Sequence, residues 1–284
     1  MRGRRPLGDR FRFARTKAGA VGLALLVAVV LLALVGPFFA PYAPDKPIGV
    51  PFDRPSADAP LGTDFLGRDV LSRLLWGGRS VFGLAGLATL IAYAAGTAVG
   101  LLAGYSRSLV DGVLMRGVDV MLSFPALLFL LVLIAGAGTS KAALVLGVAF
   151  VLMPLVARIV RTATLEQSVR GFVEAAVARG EHTSAILRRE ILPNITAPIM
   201  ADVGLKFTYA IILVASVNFL GLGLQPPAAD WALMISENRD GLTLNRWVIL
   251  APAALIAALT VSANLAGDAF ARTLGRSSVG AARA

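Results

Sequence analysis

The sequence predicts an all-α integral membrane protein with six transmembrane helices, and three observations lead there. Mean hydropathy is +0.75, with 57% hydrophobic and only 15% charged residues, against about 25% charged in soluble domains. Six segments approach the roughly 20 apolar residues that a helix needs to cross the hydrocarbon core. The basic residues also divide unevenly between the two ends of those segments, as a membrane orientation requires.

Residues 1–17 form a basic N-terminal arm carrying Arg2, Arg4, Arg5, Arg10, Arg12, Arg15 and Lys17. The first span is expected over 18–40, because Ala18 to Phe39 contains no charge. A cleaved signal peptide is the alternative there. The 22 uncharged residues exceed the usual 7–15-residue apolar region, and Pro37 and Pro41 crowd a cleavage site. An external loop follows over 41–78, then a core over 79–272 with helices at about 79–105, 118–139, 142–164, 197–224 and 247–269. The uncharged runs Val81 to Tyr105, Val120 to Ser140, Ala142 to Ala157, Phe207 to Ala229 and Val248 to Gly267 define those five. Gln225-Pro226-Pro227 should stop the fifth helix. A tail over 273–284 completes the chain.

An even number of spans puts both termini on one side. With that side cytoplasmic, 18 of the 27 Lys and Arg residues lie inside, 8 lie outside, and Lys206 sits at the edge of the fifth span. The positive-inside rule therefore places both termini in the cytoplasm. The net charge of +10 is spread beside apolar segments, where it meets anionic lipid heads, so the expected partner is a lipid membrane and not nucleic acid.

Several classes of chemistry are excluded. Cys is absent and His182 is the single histidine, so thiolate metal sites, cysteine nucleophiles and Ser-His triads have no material. No G-x-x-x-x-G-K-[ST] phosphate cradle is present, so the chain cannot itself hydrolyse ATP. A secondary transporter or channel acting alone is disfavoured by the lack of an inverted repeat and by the small number of buried charges for ion coupling. A membrane enzyme would need acidic residues inside the bundle with His or Cys beside them.

The hydrophilic connection between the fourth and fifth spans, residues 165–196, is the longest cytoplasmic one. Leu165 to Arg179 reads as helix, Gly180 permits a sharp turn, and Thr183 or Ser184 can cap a second short helix to Glu190 before Pro193 resets the chain. Ala175 and Ala176 would let another backbone approach, with Glu174 and Arg179 pairing across the contact. His182 reads as an exposed loop residue.

In the fifth span Asp202, Lys206, Tyr209 and Ser216 share one helix face. Each charge would cost roughly 2.5–3.5 kcal/mol in hydrocarbon, so this face should either line a translocation route or lie at the cytoplasmic interface. Asn264 and Asp268 form a further i,i+4 pair, Asp119 is expected to pair with Arg116, and Gly100 to Gly104 matches a helix-packing spacing.

Glu174-Ala175-Ala176, then Gly180, then Leu192-Pro193 resembles the EAA loop of ATP-binding-cassette import permeases. Pro60-Leu61-Gly62-Thr63-Asp64-Phe65-Leu66-Gly67-Arg68-Asp69-Val70-Leu71-Ser72-Arg73 resembles a signature of the C-type transmembrane subunit of dipeptide, oligopeptide and nickel permeases. Collinear matches follow at Leu114-Met115-Arg116, Phe124-Pro125, Phe219 to Pro227 with Trp231, and Asn264-Leu265 with Gly267-Asp268. Glu190, Val214 and Gly275-Arg276 depart from the family pattern.

The resemblance implies a type I importer permease in the bacterial cytoplasmic membrane that binds no cofactor itself. It implies a second homologous permease subunit, two ATPase subunits carrying ATP and Mg, and an extracytoplasmic binding protein. Glu174, Ala175, Ala176, Gly180, Leu192 and Pro193 would couple to the ATPases. Asp64, Arg68, Asp69, Gln225 and Trp231 would meet the binding protein. The cargo would be di- or oligopeptides, with nickel or another small solute as the alternative.

Overall fold

A computed structural model describes residues 17–106 and 109–281, with side chains over 19–106 and 109–267. The basic arm up to residue 16, the last three residues of the tail, and the side chain of Asp268 lie outside that description. The elements are α1 (Lys17–Val35), α2 (Val70–Ser106), α3 (Leu109–Ser123), α4 (Ala126–Ala137), α5 (Lys141–Ser168), α6 (Gly171–Ala178), α7 (Thr183–Ala185), α8 (Leu192–Phe219), α9 (Trp231–Glu237) and α10 (Trp247–Ala281). No strand occurs among the described residues. Five helical stretches are long and apolar enough to cross a membrane, and α3 with α4 makes a sixth if the bent pair counts as one span.

The second span starts earlier than the uncharged run. Asp69 caps α2: its Oδ2 accepts from the Ser72 N–H at 2.8 Å and from the Ser72 hydroxyl at 2.6 Å. The helix can then include Arg73 and Arg79 because both find partners, Arg79 donating to the Leu34 carbonyl at 2.7 Å and lying over the Phe38 and Trp76 rings. The third span is not one helix. Pro125 cannot continue α3, and the chain bends by 92° between Ser123 and Ala126. Asp119 pairs with Arg158 of α5 at 2.5 Å, not with Arg116, because α3 lies against α5 at that level.

The fifth span also shifts. It ends at Phe219, and residues 220–224 leave the helix where Asn218 Oδ1 accepts from the Leu224 N–H at 2.9 Å. At its other end α7 runs without a break through a π-helical turn, Ile186–Ile191, into α8. Pro193 therefore does not reset the chain. Pro193 stands in the first turn of α8, where a missing N–H is tolerated, and Asn194 Nδ2 donates to the Glu190 carbonyl at 2.6 Å.

The bundle centres on α2 and α5. Gly96, Gly100 and Gly104 bring the α2 backbone onto α5, and a Cβ on Gly100 would lie 2.6 Å from both the Ala157 carbonyl and the Val160 side chain. The small-residue spacing is thus spent within the chain. Val81, Ala85, Ala88, Leu144, Val148, Leu152, Ile211, Val214 and Leu259 fill the core between α2, α5, α8 and α10.

Candidate functional site

At one end of the bundle, α6 and α7 form an elbow. α5 stops at Ser168, so the helix expected from Leu165 to Arg179 is broken at Val169 and Arg170, and α6 holds only Gly171–Ala178. Gly180 closes the elbow with φ +72°, a left-handed conformation that residues with a Cβ rarely adopt. Val173 and Ala176 are buried against Val160, Ala163, Ile186, Leu187 and Ile191. Phe172, Glu174, Ala175, Val177 and Ala178 face outward.

Ala176 is therefore a seat for α6, not part of an outer contact, and its methyl is small because α5 and the π turn lie directly beneath. Arg179 is engaged within the chain by Glu181 at 2.6 Å, so it does not stand free beside Glu174. Leu192 is half-buried, Pro193 is exposed, and His182 is exposed at the start of α7.

Above the elbow, Asp202 of α8 is held twice. Lys206 Nζ donates to its Oδ1 at 2.8 Å, and the Tyr93 hydroxyl of α2 donates to its Oδ2 at 2.7 Å. Both charged side chains are mostly buried, at 11% and 15% exposure. The pair faces the bundle and ties α8 to α2, which offsets its desolvation. Tyr209 lies further along this face at a pocket, while the Ser216 hydroxyl donates to the Ile212 carbonyl at 2.7 Å.

At the opposite end, the loop before α2 folds over α9. Thr63, Asp64, Arg68, Asp69 and Trp231 are all at most 2% exposed. Arg68 pairs with Asp64 at 2.7 Å and with Glu237 at 3.2 Å; Arg73 pairs with Glu237 at 2.8 Å and with Asp64 at 3.5 Å. Burial pushes the Glu237 carboxyl above the usual carboxylate range, against the pull of Arg73 and Arg68. Asp230 is raised by burial too, while the Ser80 hydroxyl and the N–H groups of Leu233 and Ala232 act the other way. Trp231 Nε1 donates to the Leu74 carbonyl at 2.8 Å. Asn245 Nδ2 donates to the carbonyls of Leu61 and Thr63 at 2.9 and 3.2 Å, and Asn238 Oδ1 accepts from the Phe65 N–H at 3.0 Å.

Four of the five expected external contacts, Asp64, Arg68, Asp69 and Trp231, are thus inside a clamp and offer no surface to another protein. Gln225 alone is exposed. The physical reason is that each has its partner inside the chain: Arg68 and Arg73 meet Asp64 and Glu237, Asp69 caps α2, and Trp231 donates to the Leu74 carbonyl. Among the described residues no three His, Asp or Glu side chains converge as metal ligands.

Residues 96–276 match the family of binding-protein-dependent transport system inner membrane components, and residues 10–59 match the N-terminal transmembrane domain of oligopeptide transport permease C. The chain belongs to this permease family.

It is 34% identical over 263 residues to the di/tripeptide transport system permease protein DppC of Pseudomonas aeruginosa, covering 90% of this chain and 87% of that one. It is 33% identical over 261 residues to the glutathione transport system permease protein GsiD of Pectobacterium atrosepticum, covering 90% and 86%. A solved inward-facing MetNI methionine ABC transporter chain shares the fold, with a TM-score of 0.58 and 19% identity over 71% of this chain and 96% of that one. The permease is accordingly a multi-pass, non-catalytic membrane subunit of a bacterial ATP-binding-cassette importer, a machine that works with ATPase and binding-protein partners.

Sequence reasoning about this permease missed Tyr93, Arg73, Glu237, Asn238 and Asn245. Tyr93 carried a usable signal, an uncompensated hydroxyl inside an otherwise apolar span. The others lie in α2, in α9 or in the connection after α9, and meet partners up to 192 residues away in the chain, as for Asn245 and Asp53.

Proposed function

We propose that this permease forms half of a translocation pathway for di- or oligopeptides and receives force through α6 from a cytoplasmic ATPase. The supporting observation is the elbow itself. An eight-residue helix is anchored underneath by Val173 and Ala176, yet leaves Phe172, Glu174, Ala175 and Val177 uncovered. A push on that outer face passes into α5 through Val160 and Ala163, and into α8 through the π turn. The Tyr93–Asp202–Lys206 cluster then carries movement of α8 to α2.

The assembly would hold this chain, a second homologous permease subunit, two ATPases binding ATP and Mg, and an extracytoplasmic binding protein. Both termini would lie in the cytoplasm. The peptide cargo is supported by relatives named for dipeptide or di/tripeptide transport. The relative named for glutathione transport fits the same chemistry, since glutathione is itself a peptide.

The chain has no cysteine, which makes a clean test available. Glu174→Cys should react with a membrane-impermeant thiol reagent only from the cytosolic side and should crosslink to a co-purified ATPase; Gln225→Cys should react only from the other side. Labelling of position 174 from outside would overturn the coupling assignment. Reconstituted importer that accumulates no peptide with its binding protein and ATP present would overturn the cargo.

A further inference from the structure

A pocket of about 230 Å³ opens where the α3–α4 bend meets α5 and α8. Phe124, Ala126, Phe129, Phe150, Pro154 and Tyr209 line it. Three of these rings form a ladder: Phe124 stacks on Phe129, and Phe129 on Phe150, each with ring centres 5.7 Å apart. Pro154 and Tyr209 both sit near the middle of their helices, Lys141–Ser168 and Leu192–Phe219, so the pocket lies deep in the bundle's height.

An aromatic wall alone would suit a lipid chain as well as anything else. Two polar features argue for a different occupant. Pro154 has no N–H to offer the carbonyl of Phe150, the acceptor one turn before it, and both residues face the pocket. The Tyr209 hydroxyl, on the α8 face shared with Asp202 and Lys206, makes no hydrogen bond among the described residues. Polar groups in an apolar setting are normally matched by a partner, and an acyl chain has none to give. A peptide unit beside an apolar side chain supplies a donor for the carbonyl, an acceptor for the hydroxyl, and a body for the rings.

We propose that this pocket is a transit site that takes an apolar or aromatic side chain of a translocating peptide, with the Phe150 carbonyl and the Tyr209 hydroxyl meeting the adjoining backbone. The proposal rests on the reading that the cargo is a peptide. It assigns to this subunit a share of side-chain selection that would otherwise fall wholly to the binding protein.

The test uses the assembled importer in proteoliposomes, with labelled alanyl-phenylalanine and alanyl-alanine supplied at concentrations that saturate the binding protein. Phe129→Ala and Phe150→Ala each remove one ring of the ladder, whereas Ala126→Leu fills the space. Each should lower the uptake ratio of alanyl-phenylalanine to alanyl-alanine about two- to tenfold, the range expected for losing one aromatic contact. Because two variants enlarge the pocket and one fills it, a shared fall in the ratio supports occupancy by cargo over a general packing defect. An unchanged ratio in all three variants, or equal loss of both peptides, overturns the proposal. So does an acyl chain retained in the pocket, seen by native mass spectrometry, together with an unchanged ratio. Wild-type importer that accumulates neither peptide defeats the peptide reading itself, and that outcome is visible before any variant is made.

Discussion

Replacing Arg73 with Met removes the guanidinium that holds Glu237 at 2.8 Å, approaches Asp64 at 3.5 Å and donates to the Ala228 carbonyl at 3.2 Å. Both side chains of the Arg73–Glu237 pair are nearly inaccessible, at 0% and 6% exposure. Removing one member of a buried pair costs about 3–5 kcal/mol, chiefly because the other charge stays buried without it. Here Glu237 keeps Arg68 at 3.2 Å, and Asp64 keeps Arg68 at 2.7 Å, so the lower end, about 3 kcal/mol, applies. Scaling for chains of 150–250 residues converts this to a fall in Tm of roughly 6–12 °C.

The assay is thermal unfolding of the purified permease in detergent or nanodiscs, followed by fluorescence-detected size exclusion. The double variant Arg73→Met, Glu237→Leu should melt above Arg73→Met alone, since an isosteric apolar pair restores packing without an orphaned charge. A single variant that melts within about 2 °C of wild type would refute the reasoning, as would a double variant no more stable than the sum of the two single ones.

Gly100→Ala should destabilise the permease by about 1–3 kcal/mol because its Cβ would meet the Ala157 carbonyl at 2.6 Å, while Gly83→Ala, with nothing within 4 Å, should be neutral or slightly stabilising; the same melting assay separates them. Tyr93→Phe leaves Asp202 Oδ2 without its 2.7 Å donor and should cost about 1–3 kcal/mol, checked by melting beside uptake. Lys206→Met should insert normally in the membrane yet impair uptake, and wild-type uptake in that variant would exclude a transport role for the α8 polar face. Asn245→Ala withdraws the amide that bonds the Leu61 and Thr63 carbonyls and should expose the outer loop to limited proteolysis; unchanged cleavage kinetics would contradict the clamp.

The all-helical membrane character, the polarity of the elbow and the family were legible along the chain because each depends on local composition or contiguous motifs. Ala18 to Phe39 needs only its own hydropathy to be read, and Glu174 to Pro193 only its own spacing. Element ends were less legible. The early start of α2 depends on partners for Arg73 that arrive from α9, and the early end of α8 depends on a side-chain cap at Asn218. A hydropathy window sees the charge of Arg73 but not the carboxylate that neutralises it.

The roles of the signature residues diverged most. Asp64, Arg68, Asp69 and Trp231 were expected at an outer contact because of the family resemblance alone. Tertiary structure decided otherwise, since folding the loop over α9 brings two acids and two arginines into one dry cluster. The chain by itself determined that it is a helical membrane protein and which family its motifs match, since those follow from residue type and near-neighbour order. Only the three-dimensional packing decided that Ala176 seats α6, that Tyr93 holds Asp202, and that Phe124, Phe150 and Tyr209 surround one pocket. Such encounters join residues far apart in the chain, and no local pattern records who will meet whom.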